Sequence, residues 1–408
     1  MKYLYKVFYE NDHTQFIDQY NKRISFDSAK HFNLEIKPID QPNVFGLYYI
    51  PTNDMLNKIS QIHRVSSNLN NIYKALPPVA KEQFIYELLV EELYHTNELE
   101  GVKSTKKEIA NSVKEVTLNT NEKKRFHSMV KAYFDLINEE ITLPEKPNDI
   151  RKIYDDITKG EIDKKELPDG EIFRNDINYV LKKSGTGKVI HRGIIPESKI
   201  ISESERLLAF LNHSNEIPLL IKIAIGHYFF GYIHPFYDGN GRTSRFISSM
   251  YLAKELDPVS ALSLSRGCNT FTKEYLESFE VTNSIMNRGE MNFFIETFLF
   301  IILKALQEMY SELKEKDELL RTAIEKIEKE PKLDKYSSNH KDFMFILAQN
   351  YFFQFSDGVT VKEISNVLNV SHATVRKIAK ELLDVSLIQQ KGKRPIFYTI
   401  QSQYFETN

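Results

Sequence analysis

Twelve residues near the middle of the chain, HPFYDGNGRTSR from His234 to Arg245, combine an imidazole, a carboxylate, two glycines and two arginines. The imidazole of His234 has an ordinary pKa that suits proton removal near neutral pH. Asp238 supplies a single carboxylate, and Mg2+ in proteins is typically held by one or two carboxylates together with phosphate oxygens. These residue types at this spacing predict proton-transfer chemistry beside a bound anion.

The second half of the motif predicts the anion site itself. Gly239, Asn240 and Gly241 precede a predicted helix, whose first N–H groups are free and whose dipole is positive at that end. The glycines allow a ligand to approach the backbone, which favours phosphate. Arg242 and Arg245 are three residues apart and share a helical face, so their guanidinium groups can hold a di- or triphosphate. The motif therefore predicts in-line displacement at a nucleotide phosphate.

Two predicted helices position this motif. The segment 217–233 is apolar nearly all round, which is typical of a buried central helix. Pro235 ends that helix, because the residue before a proline is disfavoured in helices. The next helix is predicted to begin near Gly241. His227 has no cysteine or carboxylate beside it that would make a zinc site, so it is expected to form a hydrogen bond in the core.

Upstream of the motif the chain is predicted to be helical with one interruption. The stretch 77–101 has apolar residues at helical spacing and ends at Gly101, a residue type that commonly terminates helices. Three glycines separated by β-branched residues in 182–196 predict a hairpin or flap. Further helices are predicted at 105–116, 122–139 and 147–158 and from about Met291 to Pro331, with a linker at 331–341.

The two ends of the chain are predicted to differ from this helical middle. Residues 1 to about 50 are expected to be extended or irregular, with β-rich pieces at Tyr3–Tyr9 and Val44–Ile50. Residues 339–408 contain two short helices around a tight turn, the second capped by Ser371, and two strand-like runs, the pattern of a winged helix-turn-helix. Their eight Lys+Arg and six Asp+Glu give a net charge of +2. DNA contact and a role in packing, dimerisation or target recruitment both stay open.

Composition excludes several classes of protein. A length of 408 residues predicts two to four domains. A net charge of −2 provides no overall field that would recruit nucleic acid or a membrane. The single cysteine, Cys268, excludes an intramolecular disulfide and a Cys-rich zinc site, and it fits a reducing compartment. No apolar run has the length of a signal peptide or a membrane span, so a cytoplasmic protein without membrane contact is expected.

The motif HPFYDGNGRTSR resembles that of the Fic family, HPFx(D/E)GNGRxxR, at every specified position, and the similarity extends over roughly residues 80–305. The resemblance implies a mainly α fold, a Fic-type helical bundle with a β-hairpin flap. A small β-containing N-terminal segment and a C-terminal winged helix domain are expected around it. The expected division is an N-terminal region at 1–80, an inhibitory helix and Fic core at 81–305, a helical linker at 306–338 and a winged helix-turn-helix at 339–408.

Most Fic proteins transfer AMP from ATP to a hydroxyl side chain of a target protein and release pyrophosphate. The resemblance implies the same reaction here on Ser, Thr or Tyr. His234 would deprotonate the hydroxyl, Asp238 would bind Mg2+ on the phosphates, and Phe236 would anchor the loop in the core. The anion hole would be formed by Gly239, Asn240 and Gly241, with Arg242 on the phosphates and Arg245 on the terminal one.

The resemblance also implies a docking strand and a brake. The flap residues Lys188, Val189, Ile190 and His191 would pair with the backbone of the target as an added strand. The sequence TNELEG, which begins at Thr96, is similar to the inhibitory motif of the family, (S/T)xxxE(G/N). Glu100 would form a salt bridge with Arg245, so that ATP binds only in a non-productive pose.

Other functions stay open beside protein AMP transfer. The donor could be UTP, GTP or a phosphocholine donor, or ATP bound in reverse could phosphorylate the target. Glu100 could also help to remove AMP by positioning a water. A different class is a DNA-binding regulator with a nucleotide-sensing Fic core. ATP and an unidentified target protein are the expected partners, Mg2+ is the expected cofactor, and a homodimer stays open.

Overall fold

The computed structural model describes residues 1–39, 41–117, 125–181, 189–213, 216–353 and 358–405. The chain divides into two compact units, one of residues 1–67 and 89–307 and the other of residues 68–88 and 308–408. The division into four parts expected above stays a prediction. Within the described residues, no helix has the length and apolar character needed to cross a membrane.

The chain is mainly helical with small sheets, which confirms the predicted fold class. As far as Glu328 it forms α1 (Leu4–Glu10), α2 (His13–Ile24), β1 (Lys30–Ile36), β2 (Phe45–Tyr49), α3 (Asn53–Ala75), α4 (Pro78–Glu100), α5 (Lys106–Thr117), α6 (His127–Ile137), α7 (Pro147–Thr158), β3 (Tyr179–Leu181), β4 (Val189–Arg192), α8 (Glu197–His213), α9 (Leu219–Ile233), α10 (Asn240–Glu255), α11 (Pro258–Ala261), α12 (Leu264–Thr270), α13 (Thr272–Thr282) and α14 (Asn292–Glu328). The boundaries between the two units fall inside α3, α4 and α14.

Helix α9 is the buried centre of the first unit, as its sequence predicts. It is buried along nearly its whole length and packs against α8 and α10, and α10 also packs against α7. A helix that is apolar all round is favourable only when neighbours cover every face. Because α9 ends at Ile233 and α10 begins at Asn240, the motif that starts at His234 forms the loop between two buried helices.

Two antiparallel hairpins flank this core. Strand β1 pairs with β2, which confirms the β-rich piece predicted at Val44–Ile50. Strand β3 pairs with β4, with Tyr179 opposite Arg192, which confirms the predicted flap in its described part. Lys188, the first residue expected to dock the target, lies outside the described residues.

The β-rich piece predicted at Tyr3–Tyr9 is wrong, because these residues belong to helix α1. Leu4 and Val7 lie one helical turn apart and are buried with Phe16 of α2, a second helix that the sequence analysis did not predict. Aromatic and β-branched residues favour strands, but tertiary packing of a helical face overrides that preference here.

Two other boundaries differ from the predictions. Helix α6 spans His127–Ile137 of the predicted 122–139, and Phe126 before it has a φ of 66°, which is incompatible with an α-helix; residues 122–124 of the prediction lie outside the described residues. The predicted linker at 331–341 contains a 3-10 turn, Pro331–Leu333, and the start of the next helix.

The second unit ends in a compact α/β arrangement with the element order predicted from the sequence. Ser371 caps the second helix of the predicted helix–turn–helix by accepting a hydrogen bond from the Thr374 amide. The elements are α15 (Ser338–Phe353), β5 (Val359–Thr360), α16 (Val361–Leu368), α17 (His372–Asp384), β6 (Ile388–Lys391) and β7 (Phe397–Ile400). The three strands form a sheet in the order β5–β7–β6.

Candidate active site

His234 lies at the C-cap of α9 in the left-handed conformation, with a φ of 52° and its backbone N–H bonded to the carbonyl of Phe230 at 2.9 Å. This conformation turns the chain sharply out of the helix. Burial, followed by the nearby His191 and Arg174, lowers the pKa of His234 to about 3. The imidazole is therefore neutral near pH 7, but this pKa is lower than the ordinary value expected from the sequence and makes the free side chain a weaker base.

The loop after His234 is held in place by aromatic packing against helix α7. Phe236 is fully buried and stacks on Tyr154 of α7 with ring centroids 3.8 Å apart. The Asn240 side chain holds the same loop, since its Oδ1 accepts from the Phe236 N–H at 3.0 Å and its Nδ2 donates to the Phe236 carbonyl at 2.7 Å. Phe236 thus lies where the anchor was predicted. Through its hydrogen bonds to the backbone, Asn240 shapes the turn of Gly239, Asn240 and Gly241 at the start of α10, which we call the cradle.

The glycines of the cradle are required by space. Gly239 has a φ of 81°, and a Cβ atom there would lie 2.8 Å from Thr158 of α7. A Cβ atom at Gly241 would lie 2.1 Å from Oε1 of Glu100. The Glu100 carboxylate therefore lies against the first turn of α10, the place where free N–H groups and the helix dipole favour an anion.

Arg242 is fully buried, and within the described residues none of its three guanidinium nitrogens has a hydrogen-bond partner. The Asp238 carboxylate lies 3.6 Å from its Nη2 and is 40% exposed. A buried charged group without hydrogen bonds is costly, and such a group in a native structure needs an explanation. An anionic ligand at the cradle would supply the missing acceptors.

Arg245 is also buried, but two of its three guanidinium nitrogens donate hydrogen bonds to helix α4. Its Nε donates to Thr96 Oγ1 at 2.9 Å, and its Nη2 donates to the Thr96 carbonyl at 3.1 Å and to Glu100 Oε1 at 2.8 Å. Helix α4 ends there because Gly101 adopts a φ of 74°. The structure thus brings Glu100 and Arg245 into the predicted contact and adds Thr96, the first residue of the predicted inhibitory motif, as a further partner of Arg245.

The flap contributes its backbone and one buried histidine. His191 of β4 points inward, and its Nε2 lies 2.6 Å from the carbonyl of Tyr232. Burial lowers the pKa of His191 to about 4. Its side chain therefore serves the core, whereas Val189 and Ile190 are half-buried.

His227 forms the predicted core hydrogen bonds. Its Nδ1 lies 2.8 Å from Ser248 Oγ and its Nε2 lies 2.7 Å from Tyr275 Oη. Within the described residues, no group of three or more His, Cys, Asp or Glu side chains is placed to hold a metal ion. Any Mg2+ at the cradle would therefore need phosphate oxygens beside the Asp238 carboxylate.

Two residues of this site were missed by the sequence analysis. Tyr154 packs under the cradle, and Arg174 is fully buried with its Nε donating to the His234 carbonyl at 2.9 Å. An arginine before short polar residues has no periodic pattern that marks burial. Only the apolar Phe173 before it gives a local signal.

Comparison with known proteins places the motif within a segment that matches a known family. Residues 144–252 match the Fic/DOC family. The matched segment contains the motif and the flap. Thr96 and Glu100 lie upstream of its first residue and are outside the match. Members of this family are typically transferases that modify proteins.

Similar folds occur among solved structures. A Fic family protein from Desulfovibrio desulfuricans G20 is 16% identical, with a TM-score of 0.52, and the match covers 87% of this chain and 98% of that one. A Fic domain containing signaling protein from Bacteroides thetaiotaomicron VPI-5482 is 18% identical with a TM-score of 0.41, over 62% of this chain and 97% of that one. Fic-1 from C. elegans is 18% identical with a TM-score of 0.42, over 64% of this chain and 74% of that one.

The last two TM-scores are below 0.5, so these two structures carry no argument about this chain. The first TM-score supports a shared fold. The family match and this fold together support a Fic domain protein.

Proposed function

We propose that this protein transfers AMP from ATP to a Ser, Thr or Tyr hydroxyl of a target protein. The observation that carries the proposal is a pair of groups at the two ends of the loop between α9 and α10: a neutral imidazole at His234, and a buried guanidinium at Arg242 that has no hydrogen-bond partner among the described residues. A base for a hydroxyl and a cation for phosphate are the two groups that nucleotidyl transfer needs.

In the proposed reaction the His234 imidazole takes the proton of the target hydroxyl. The hydroxyl oxygen attacks the α-phosphorus, the bond from that phosphorus to the bridging oxygen breaks, and pyrophosphate leaves with the electron pair. Arg242 and the N–H groups at the start of α10 stabilise the negative charge that develops. The Asp238 carboxylate, together with phosphate oxygens, would hold Mg2+, which would supply positive charge to the leaving pyrophosphate.

Helix α4 acts in this proposal as a brake. The Glu100 carboxylate lies over Gly241 and accepts a hydrogen bond from Arg245, so it competes with a phosphate for both. The Glu100–Arg245 contact forms within one chain, so its effective concentration is high. A weak interaction is therefore enough to keep ATP from binding at the cradle in its productive pose. The strand β4 supplies an edge on which the target chain would add as a further strand.

The test uses Glu100→Gly protein with ATP, CTP, GTP or UTP, each labelled on the α- or the γ-phosphate. Label transferred to protein from the α-phosphate of ATP supports the proposal, and His234→Ala should abolish it. Label from the γ-phosphate would establish a kinase instead, and label from another nucleotide would change the donor. Loss of label from pre-modified protein, faster in wild type than in Glu100→Gly, would establish removal of AMP.

A second candidate function rests on the C-terminal segment. Six cations lie exposed on α17 and on the turn between β6 and β7, and among the described residues none of them forms an ion pair: Arg376, Lys377, Lys380, Lys391, Lys393 and Arg394. We infer that this surface contacts the phosphates of duplex DNA, with α17 as the recognition helix of a winged helix.

Fluorescence anisotropy of the full chain with duplex DNA over a salt series tests this second function. Binding should weaken steeply with salt, and Lys377→Glu with Lys393→Glu should weaken it at least tenfold, about 1.4 kcal/mol. Lys22→Glu with Lys58→Glu in the N-terminal helices provides a matched charge control. Binding that is insensitive to salt, or equally weakened by both pairs, would leave packing or recruitment as the role of this segment.

A further inference from the structure

Arg174 lies between the loop that begins at His234 and the segment that follows the flap strand β4, and it bonds to both. It is fully buried, and its side chain donates to three backbone carbonyls: Nε to His234 at 2.9 Å, Nη1 to Asp176 at 2.5 Å and Nη2 to Ile194 at 3.0 Å. His234 carries the proposed base, and Ile194 follows the flap strand β4 by two residues. One guanidinium therefore bridges the base loop and the root of the flap.

Backbone hydrogen bonds join the same two segments around this side chain. The Ile194 N–H donates to the carbonyl of Ile233 at 3.1 Å, and the Arg174 N–H donates to the carbonyl of Pro235 at 3.3 Å. On the other side, the Gly193 N–H donates to the Asn178 carbonyl at 2.9 Å. The guanidinium is thus the centre of a hydrogen-bonded block.

The packing around the guanidinium leaves no spare room. A Cβ atom at Gly193 would lie 2.2 Å from Nη2 of Arg174 and 3.1 Å from Cβ of His234. Gly193 is therefore the point at which the flap root, Arg174 and the base loop meet. Any side chain there would displace at least one of them.

The backbone at His234 needs such support. A left-handed conformation costs a residue with a Cβ about 1–2 kcal/mol and persists only where the surroundings impose it. The Arg174 Nε bonds to the carbonyl of this very residue, so losing the guanidinium would free the backbone that aims the imidazole.

Packing alone does not account for a charge in this place. Burial lowers the pKa of Arg174 to about 10, so the group stays charged near neutral pH and carries a desolvation cost. An apolar side chain could fill the same space without that cost. What a guanidinium adds is a rigid fork of donors that can reach carbonyls on separate segments.

We infer that Arg174 is a positioning residue that holds the base loop and the flap root at one fixed spacing, so that a chain docked on the flap presents its hydroxyl to His234. The inference rests on the proposed transfer reaction. It differs from a role in ATP binding, because Arg174 contacts backbone on the target side of His234. A shift of about 1 Å between base and acceptor is enough to lower a rate about 100-fold.

The test compares Arg174→Met, Arg174→Lys and a matched control, Arg151→Met, in Glu100→Gly protein. Arg151 also donates to a carbonyl, that of Ile172 at 2.8 Å, but its other hydrogen bonds go to Asp155 on its own helix and none goes to His234 or Ile194. Arg174→Met should lower the maximal rate of self-modification about 100-fold, with the Kd for ATP changed less than threefold. Lysine retains a charge and one or two of the donors, so Arg174→Lys should recover about tenfold. Arg151→Met should stay within twofold.

Amide hydrogen exchange of the same proteins gives a readout that does not require catalysis. In Arg174→Met, exchange should accelerate at 189–195 and at 234–239 together, with the rest of the first unit unchanged. If Arg174→Met fails to fold, Gly193→Ala replaces it, because the added methyl displaces the guanidinium while keeping the charge.

Three results would overturn the inference: a maximal rate within threefold of the parent, a lysine variant no better than methionine, or exchange that rises uniformly over the unit. If Glu100→Gly protein transfers no label from the α-phosphate of ATP to protein, the proposed function fails. If His234→Ala is inactive while Arg174→Met is unaffected, only the positioning role fails.

Discussion

Arg242 and Arg245 lie one turn apart on α10 and are both buried, yet their guanidinium groups have opposite surroundings. Arg245 is bonded to Thr96 and Glu100 of α4, whereas Arg242 has no hydrogen-bond partner among the described residues. The comparison shows that burial alone does not identify a ligand site. The deciding quantity is how many of the buried donors the protein itself satisfies.

The two sides of the cradle also differ in charge balance. Burial by itself would lower the pKa of Arg245, but Glu100 and the neighbouring Tyr275 and Cys268 raise it above its usual value. Arg245 also faces the last turn of α4, where the helix dipole favours a cation. Arg242 has only the half-exposed Asp238 at 3.6 Å. One arginine is therefore held by the fold, and the other is available to an anion.

The largest effect on AMP transfer should come from replacing Arg242, and replacing Arg245 provides the contrast. In Glu100→Gly protein, Arg242→Met should lower AMP transfer about 1,000-fold, because arginine contacts to a transferring phosphoryl group are worth that much. The melting temperature of the ligand-free protein should stay equal or rise, since a buried unpaired charge is removed.

Arg245→Met in the wild-type chain provides the contrast. It should destabilise the ligand-free protein by about 3 kcal/mol, because Thr96 and Glu100 lose their partner. Urea unfolding of both variants measures this difference. Equal destabilisation by the two substitutions would contradict the comparison.

Acid should add buried positive charge to the first unit, because three buried histidines gain protons. Burial, followed by the charge of Arg245, lowers the pKa of His227 to about 3, and burial lowers that of His191 to about 4 and that of His234 to about 3. Since an unfolded histidine titrates near 6.5, the unfolded state binds more protons between pH 6.5 and about 4. Stability should therefore be complete above pH 6.5 and fall by about 1.4 kcal/mol per pH unit for each histidine below it.

Thermal unfolding between pH 7 and 5 measures this slope. His227→Gln should remove about a third of it, because His191 and His234 contribute the rest. A stability that is flat over this range would show that none of the three histidines is buried in its neutral form.

Releasing the engaged arginine should activate transfer by a smaller factor. Glu100→Gly should raise self-modification about 10- to 100-fold, the usual range for a coupling of 1–3 kcal/mol between two contacts. Glu98→Gly is the matched control, because Glu98 lies in the same last turn but bonds to Asn269 at 2.7 Å. An equal activation by both would point to fraying of the helix instead of loss of the Glu100–Arg245 contact.

The smallest effect should come from Thr96→Val, which keeps the shape of the side chain but removes the acceptor of the Arg245 Nε hydrogen bond. One such bond is worth about 1 kcal/mol, so activation of about fivefold and a similar loss of stability are expected. Serine at the same position retains the hydroxyl and should behave as wild type. Self-modification rates and urea midpoints of both variants decide the matter.

The accuracy of the sequence predictions followed the strength of the local signal. Helix α9 was predicted because an apolar run bounded by Pro218 and Pro235 permits few alternatives. Helix α1 was missed because Tyr3–Tyr9 has the composition of a strand, and only contact with α2 makes its helical face worth burying. The same limit applies to Arg174, whose burial depends on carbonyls that are 20 and 60 residues away.

By itself, the sequence determined the local chemistry of this protein. A turn with glycines at 239 and 241, a helix start and a histidine after a buried helix follow from spacing and backbone sterics within twelve residues. Only the tertiary structure decided that Glu100 lies over Gly241, that Arg245 is engaged while Arg242 is not, and that Arg174 bridges base and flap. The reason is physical: hydrogen-bond satisfaction of a buried charge depends on which distant segments pack around it, and no local pattern encodes that.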